Sequence, residues 1–268
     1  MIKIIAEIGW NHMGDMNLAE KMIIEASKSG ADICKFQTWS EKNLKSGPWD
    51  HDGRREIYKK AQLSIEDHRN LKNICEENSV GFMTSIFNIN DLIFLEKMNM
   101  NMIKIPSHEI HNLDLIQATT KNFKTILVST GAAKWEEIEK IMELPETKKL
   151  IFMHCVSTYP CPPEKINLSR MAELKKMTNI VGYSGHYQGI EDGIAAMCLG
   201  ASYIEKHFTI NHDLPGRDNK FAILPVEMKK LCDFRNKFED MNINLGLEMQ
   251  ECEEDTFNNY RGRWSGNA

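Results

Sequence analysis

The chain has 268 residues, of which 42% are hydrophobic and 26% charged, with a formal net charge of -5. That length can bury a substantial core, as one large domain or two small ones, and the composition is ordinary for a soluble globular protein. The mild acidic balance excludes a basic footprint for nucleic acid and a purely electrostatic hold on a membrane surface, and no apolar run approaches the roughly 20 residues of a membrane span.

The first residues, Met-Ile-Lys-Ile-Ile-Ala-Glu, enter an apolar β-rich run at once, so no signal peptide is expected. Similar runs follow at 33–37, 81–85, 102–105, 125–129, 150–154, 180–184 and 203–207, with the first at 3–7. Between and after them, apolar residues recur at helical spacing over 17–29, 64–78, 89–98, 113–120, 135–142, 167–177, 191–199 and 226–239. Ser64 with Asp67 makes a capping-box start, Pro225 suits a first helical turn, and Gly30 follows the first helix as a C-terminal glycine would. Eight βα repeats predict an α/β fold, a (β/α)8 TIM barrel in a single domain; a doubly wound sheet is the runner-up. The barrel is expected over 1–245, with 246–268 as a C-terminal tail. The stretch 39–62, with Gly-Pro-Trp-Asp-His-Asp-Gly-Arg-Arg at 47–55, shows no period and reads as a long functional or mobile loop. The seven cysteines (34, 75, 155, 161, 198, 232 and 252) are odd in number and form no C-x-x-C pair, which fits reduced thiols in a cytoplasmic protein.

Catalysis in such a barrel sits at the carboxyl ends of the strands. Those ends are polar here: Glu7; Lys35 and Gln37; Thr84 and Ser85; Lys104, Ser107 and Glu109; Ser129; His154; Ser184 and His186; and His207. His186 and His207 close two strands joined by one helical pattern. Adjacent parallel strand ends lie about 5 Å apart, so the two imidazoles can share one divalent metal, with Asp218 on the next loop within reach. A hydrogen-bonded structural role is the alternative for each histidine. Lys35 and Lys104 interrupt apolar strands, and a buried ammonium needs an anion. The anion is either a barrel carboxylate, Glu7 or Glu109 for example, or a phosphate and carboxylate of a small substrate held with the hydroxyls of Ser107, Ser129 and Ser184.

Ile-Ala-Glu-Ile-Gly-Trp-Asn-His-Met-Gly-Asp (5–15), Lys-Phe-Gln-Thr (35–38), Ser-Thr-Gly (129–131), Ser-Gly-His (184–186), Glu-Lys-His-Phe (205–208) and Pro-Gly-Arg-Asp (215–218) together resemble the sialic-acid synthase family. The resemblance implies a metal-assisted condensation of phosphoenolpyruvate with an N-acyl amino sugar, giving a sialic-acid-like 3-deoxy-2-keto acid and phosphate with C–O cleavage. It implies that His186 and His207 hold Mn2+ or Mg2+. Glu7, Asp218 and Glu109 would be the catalytic carboxylates. Lys35, Ser85, Lys104, Ser107, Ser129 and Ser184 would surround phosphoenolpyruvate, and Gln37, Tyr159 and Arg217 would face the acceptor. It also implies a homo-oligomer, usually a dimer; the charge balance already argues against a nucleic-acid or membrane partner.

Three departures stand out. Gly185 replaces the usual aspartate between Ser184 and His186, so one acidic group near the metal is expected to be missing. Ser157 stands for an asparagine, and His108 for a glycine. Family members commonly continue into a small antifreeze-protein-like domain that brings an arginine to the acceptor; the sequence ends at Ala268, before such a domain. Either that domain is a separate protein, or the acceptor is held differently, or the barrel has lost the synthase activity; Arg217 is the first candidate to replace the cation, with Arg54 and Arg55 as others that read equally as solvated surface charges. Two other functional classes remain open from the residues: a metal-dependent aldolase, isomerase or hydrolase, which needs no pair of interior lysines, and a non-catalytic barrel that binds a sugar acid.

Overall fold

Alternation along each β-rich run sends one set of side chains inward and the other outward, and this places everything that follows. The runs form one closed parallel barrel in chain order: β1 (Lys3–Gly9), β2 (Ile33–Thr38), β3 (Gly81–Ile86), β4 (Met102–Ile105), β5 (Thr125–Ser129), β6 (Leu150–Cys155), β7 (Val181–Gly185) and β8 (Ala201–His207). This computed structural model describes residues 1–264. The chain is a TIM barrel, as its βα alternation predicts.

Outward residues such as Ile4, Ala6, Ile8, Cys34, Phe36, Ile103, Ile105, Ile126, Val128 and Phe152 are fully buried in the layer between strands and helices. Each buried large aliphatic there contributes about 1.5–3 kcal/mol relative to exposure. Inward residues divide by height. Ile5, Met83, Leu127, Ile151 and Met153 fill the amino end of the interior, with Ile33, Met102 and Tyr203 packed against them. Above this plug the inward side chains turn polar.

The helices are α1 (Met16–Lys28), α2 (Arg54–Ala61), α3 (Ile65–Glu77), α4 (Leu92–Leu95), α5 (Leu113–Asn122), α6 (Trp135–Met142), α7 (Arg170–Thr178), α8 (Glu191–Cys198) and α9 (Pro225–Met241). In α1, the Asp15 side chain accepts from the Asn17 and Leu18 amides; Ala19, Met22, Ile23 and Ala26 form the buried stripe, and Gly30 follows at a φ of +91°. Ser64 and Asp67 cap α3 reciprocally, and Pro225 opens α9.

Two elements differ from the sequence reading. The stretch 39–62 is not structureless. It holds 3-10 turns at Glu41–Asn43 and Pro48–His51 and then α2, whose exposed, charge-rich first turns gave no apolar period to read. The helix expected from 167 begins at Arg170, because Asn167 takes a left-handed φ of +53° that no right-handed helix accommodates. Beyond α9, residues 242–264 run along the surface with Ile243, Leu245, Leu247 and Trp264 exposed. No helix of the described residues is long and apolar enough to cross a membrane.

Candidate active site

Parallel register sets the site. Glu7 lies beside Lys35 on one side and His207 on the other, Gln37 beside Ser85, Ser85 beside Lys104, and Ser184 beside Glu205. In-register side chains of a parallel sheet point the same way, so these groups converge above the apolar plug. They line a cavity of about 880 Å³ at the carboxyl end of the barrel.

Its floor is a ring of four charges. Lys35 Nζ is 2.6 Å from Glu7 Oε2 and 3.5 Å from Glu205 Oε1, and donates to Ser85 Oγ at 2.9 Å. Lys104 Nζ is 2.6 Å from Glu205 Oε1 and donates to Ser184 Oγ at 3.2 Å. The anions required by the interior lysines are therefore Glu7 and Glu205. Glu109 takes no part. Burial disfavours the charge on Lys35, yet Glu205 and Glu7 outweigh it and hold this ammonium above the ordinary lysine range. For Lys104 burial prevails and lowers it. Burial likewise raises the Glu7 carboxyl against the pull of Lys35, whereas Lys104 and Lys35 overcome burial at Glu205 and keep it ionised. Gln37 donates its amide to the other Glu7 oxygen, fixing the carboxyl plane.

One wall is lined with hydroxyls. The backbone N–H of Gly131 donates to Ser107 Oγ at 3.1 Å, and Ser107 Oγ donates to Cys155 Sγ at 3.5 Å. The buried hydroxyls of Ser129 and Ser157 have no hydrogen-bond partner among the described residues. A buried unpaired hydroxyl is costly unless a ligand or water completes it, so this wall is chemically unfinished.

The adjoining wall carries the imidazoles, with Cys155 Sγ 3.9 Å from His186 Nδ1. The ring centroids of His186 and His207 lie 5.4 Å apart, and Tyr159 packs on His186 at 4.0 Å. His186 Nδ1 lies 2.7 Å from the carbonyl oxygen of Val156. A carbonyl only accepts, so Nδ1 carries the hydrogen and Nε2 keeps its lone pair. Burial drops His186 to about 3 and His207 well below its usual value, so both rings are neutral at physiological pH. His207 Nδ1 is buried without a hydrogen bond, 3.3 Å from Asp218 Oδ2. Burial also raises the Asp218 carboxyl to about 7. The loop bearing Asp218 is pinned by Asn219, whose amide donates to the carbonyls of Asn11 and Pro215, and by Asn11, which donates to Phe208 O.

Two neutral imidazoles with free lone pairs, one orphaned beside a carboxylate, suit a divalent cation. Among the described residues no group of three or more His, Cys, Asp or Glu stands ready to hold a metal. Further ligands would come from substrate and water.

The roof comes from the 39–62 stretch. Arg54 lies 4.1 Å above the Trp49 ring and 2.9 Å from Asp52, and Asp52 also meets Arg217 at 3.1 Å, joining the two loops across the mouth. Arg55 pairs with Glu41 at 2.7 Å and does not line this cavity. Trp10, Trp39 and Tyr58 pack together beneath, at 5.1–6.2 Å between rings. Trp49, Arg54, Tyr58, Phe87 and His108 also border a second cavity of about 540 Å³ under the roof.

Glu7, Lys35, Gln37, Ser85, Lys104, Ser107, Ser129, Tyr159, Ser184, His186, His207, Arg217 and Asp218 all line the large cavity. Glu109 does not; it borders the second one, accepting from Asn112 Nδ2 at 3.3 Å. Thr84 and His154 sit near strand ends but face outward. Thr84 bonds Thr38 at 2.7 Å, and His154 Nε2 lies 2.7 Å from Ile166 O. The alternation that turns them out turns Ser85 and Cys155 in. The sequence reading missed Glu205. Its signal was available: it stands two residues before His207 on one strand, hence on the same face.

A family model described as the NeuB family matches residues 22–244. The N,N'-diacetyllegionaminic acid synthase of Campylobacter jejuni is 35% identical over 246 residues, covering 85% of this chain and 74% of the relative. Pseudaminic acid synthase of the same species is 34% identical over 263 residues, 92% of this chain and 77% of the relative. The crystal structure of N-acetylneuraminic acid (sialic acid) synthetase from Leptospira borgpetersenii, in complex with citrate, superposes with a TM-score of 0.88 at 31% identity, covering 99% of this chain and 93% of that one.

Proposed function

This chain belongs to the NeuB family, and we propose that it is a nonulosonic acid synthase that joins phosphoenolpyruvate to the aldehyde of an N-acyl amino sugar. The observation that carries the reading is one cavity that holds two buried lysines, the unpartnered hydroxyls of Ser129 and Ser157, and two neutral imidazoles. A metal-dependent aldolase or hydrolase does not require two interior ammonium groups, whereas binding an enol phosphate that also carries a carboxylate uses both. The synthase names of the relatives support the same class of product.

In this mechanism Lys35 and Lys104 hold the anionic groups of phosphoenolpyruvate, and Ser85, Ser107, Ser129 and Ser184 donate to its oxygens. The acceptor lies toward Gln37, Tyr159 and Arg217, with the second cavity receiving its acylamino end. The enol C3 attacks the aldehyde carbon, forming the new C–C bond. Asp218, whose carboxyl burial raises to about 7, gives its proton to the aldehyde oxygen as negative charge develops there. Glu7, oriented by Lys35 and Gln37, takes a proton from the water that adds at C2; the adduct expels phosphate by C–O cleavage and leaves the 2-keto acid. Mn2+ or Mg2+ would be held by His186 and His207 and would supply Lewis-acid polarisation of the aldehyde oxygen.

The test is phosphate release from phosphoenolpyruvate with Mn2+ against six-carbon sugars bearing one or two acetamido groups, free and 6-phosphorylated, for the parent chain, Glu7→Gln and His207→Ala. Acceptor-dependent release lost in both variants is expected. Release without acceptor, or none with any acceptor, overturns the reading.

A further inference from the structure

Behind the imidazole wall lies a buried ion pair that the chemistry above does not use. Lys206 alternates with Glu205 and His207 and so points out of the barrel, against α8. Its ammonium donates to both oxygens of Asp192, at 2.9 and 2.8 Å, and to the carbonyl of Tyr187 at 2.8 Å. Asp192 also accepts from Tyr183 Oη at 2.9 Å and from the Gly193 amide at 2.8 Å. Both charged side chains are essentially sealed, at 2% and 0% exposure, so removing either leaves an uncompensated buried charge.

These bonds bracket the turn that carries His186. Tyr183 precedes it on β7, Tyr187 O follows it immediately, and α8 begins four residues later. The histidine's own carbonyl accepts from Cys161 N at 2.9 Å, and its ring is tied to Val156 O. The turn is thus held from the cavity side by strand and loop backbone, and from the outer side by the Lys206–Asp192 pair together with the packing of Tyr187 against the core.

Gly185 explains how the carboxylate fits. A Cβ at this position would lie 2.2 Å from Asp192 Oδ2 and 2.5 Å from the Tyr183 ring. The space beside residue 185 is filled by the Asp192 carboxylate from α8 and by the Tyr183 ring that donates to it, so a side chain at 185 requires both to give way. We propose that Asp192, acting through Lys206, is a positioning residue for His186, and that it performs from α8 what an acidic side chain at position 185 would perform from β7. The inference does not depend on which reaction the cavity performs.

The experiment compares the full-length chain with Asp192→Ala, Asp192→Asn, Gly185→Asp and the double variant Gly185→Asp/Asp192→Ala. Three quantities are read. Long-range 1H–15N NMR of the His186 ring, identified by its loss in His186→Gln, reports the Nδ1–H tautomer without any metal. Calorimetry gives Mn2+ affinity in the absence of substrates, and urea unfolding gives stability. Each single alanine or aspartate change should erase the single-tautomer signature and weaken Mn2+ binding by about 10- to 100-fold, the range for ligands that lose their supporting contacts. The double variant, in which Tyr183 is released from its bond to Asp192 and must move off the new Cβ, should recover the tautomer and bring Mn2+ affinity back to within a few-fold. Should Asp192→Ala fail to fold, Asp192→Asn carries the first comparison. A wild-type tautomer in the Asp192 variants despite lowered stability would reduce the pair to a packing role and overturn the proposal. So would a double variant that stays unfolded or as impaired as Asp192→Ala. Absence of Mn2+ binding by the parent chain would count against the metal reading alone, since the tautomer comparison decides the positioning role independently.

Discussion

Glu205→Gln tests whether the charged floor of the barrel is a counter-ion device. Glu205 sits 2.6 Å from Lys104 Nζ and 3.5 Å from Lys35 Nζ, and all three side chains are nearly sealed from solvent. Breaking a buried ion pair from one side costs about 3–5 kcal/mol, because a charge is left unpaired. Glutamine keeps an oxygen for Lys104 to donate to, so the low end, about 3 kcal/mol, is expected. For a chain of this size that lowers Tm by roughly 6–12 °C, at about 2–4 °C per kcal/mol. Phosphoenolpyruvate should reverse much of the loss, because the anion replaces the missing carboxylate; a ligand at 100 times its Kd contributes about 2.7 kcal/mol. Thermal and urea unfolding with and without phosphoenolpyruvate, and its Kd by calorimetry, measure both parts. The reasoning predicts a Kd equal to or below that of the parent chain. A variant as stable as the parent, or one whose Kd rises more than tenfold, would refute it, the second outcome meaning that Glu205 orients the lysines rather than neutralising them.

Glu7→Gln should lower kcat by 10²-fold or more while the phosphoenolpyruvate KM stays within a few-fold, the scale of a lost general base; a purely KM effect in steady-state assays would assign Glu7 to binding. Arg217→Ala should raise the acceptor KM about tenfold and leave the phosphoenolpyruvate KM unchanged, since it removes a charge-assisted contact at the mouth; an unaltered acceptor KM rejects this placement. His12 is a pH sensor of stability: burial lowers it to about 4 from 6.5. Its folded value is depressed, so its contribution is complete above pH 6.5 and is lost as pH falls from 6.5 toward 4, roughly 3 kcal/mol in all. His12→Asn keeps an acceptor for the Gly14 amide and should abolish that part of the acid sensitivity in urea unfolding at pH 7.5 and 4.5; parallel acid slopes in both proteins would disprove it.

The barrel was readable because its strands carry a physical signature that needs no partner to be seen. Trp135–Met142 is found where the apolar spacing places it, and Ser64 caps where its box residues stand. Helix α2 was hidden for the converse reason. Only Ala61 of Arg-Arg-Glu-Ile-Tyr-Lys-Lys-Ala is fully buried, so the roof is held by ion pairs and ring contacts between distant segments, such as Arg217 with Asp52, which no local pattern encodes. Facing is a second lesson. Taking all polar residues near strand ends together mixed Thr84 and His154 with the cavity set, although strict alternation from Ser85 and Cys155 separates them. The same rule applied to β8 would have put Glu205 beside His207 and left Lys206 outside.

Gly185 shows why a motif departure cannot be priced residue by residue. In the sequence, a glycine between Ser184 and His186 reads as an acidic group lost from the metal's neighbourhood. Position 185 faces α8 rather than the cavity, and its place is taken by the Asp192 carboxylate, with Lys206 as the shared partner. On the positioning proposal, the Asp192 carboxylate stands where an acidic side chain at 185 would have stood. A buried ammonium tolerates that exchange only if the incoming carboxylate arrives within ion-pair distance, which ties the identity of a strand residue to that of a helix residue seven positions later. The imidazole wall is therefore built from two sets of residues that alternate along the same strands. Inward residues line the cavity, and outward ones such as Lys206 meet partners on helices, from which, on the same proposal, the inward set is positioned.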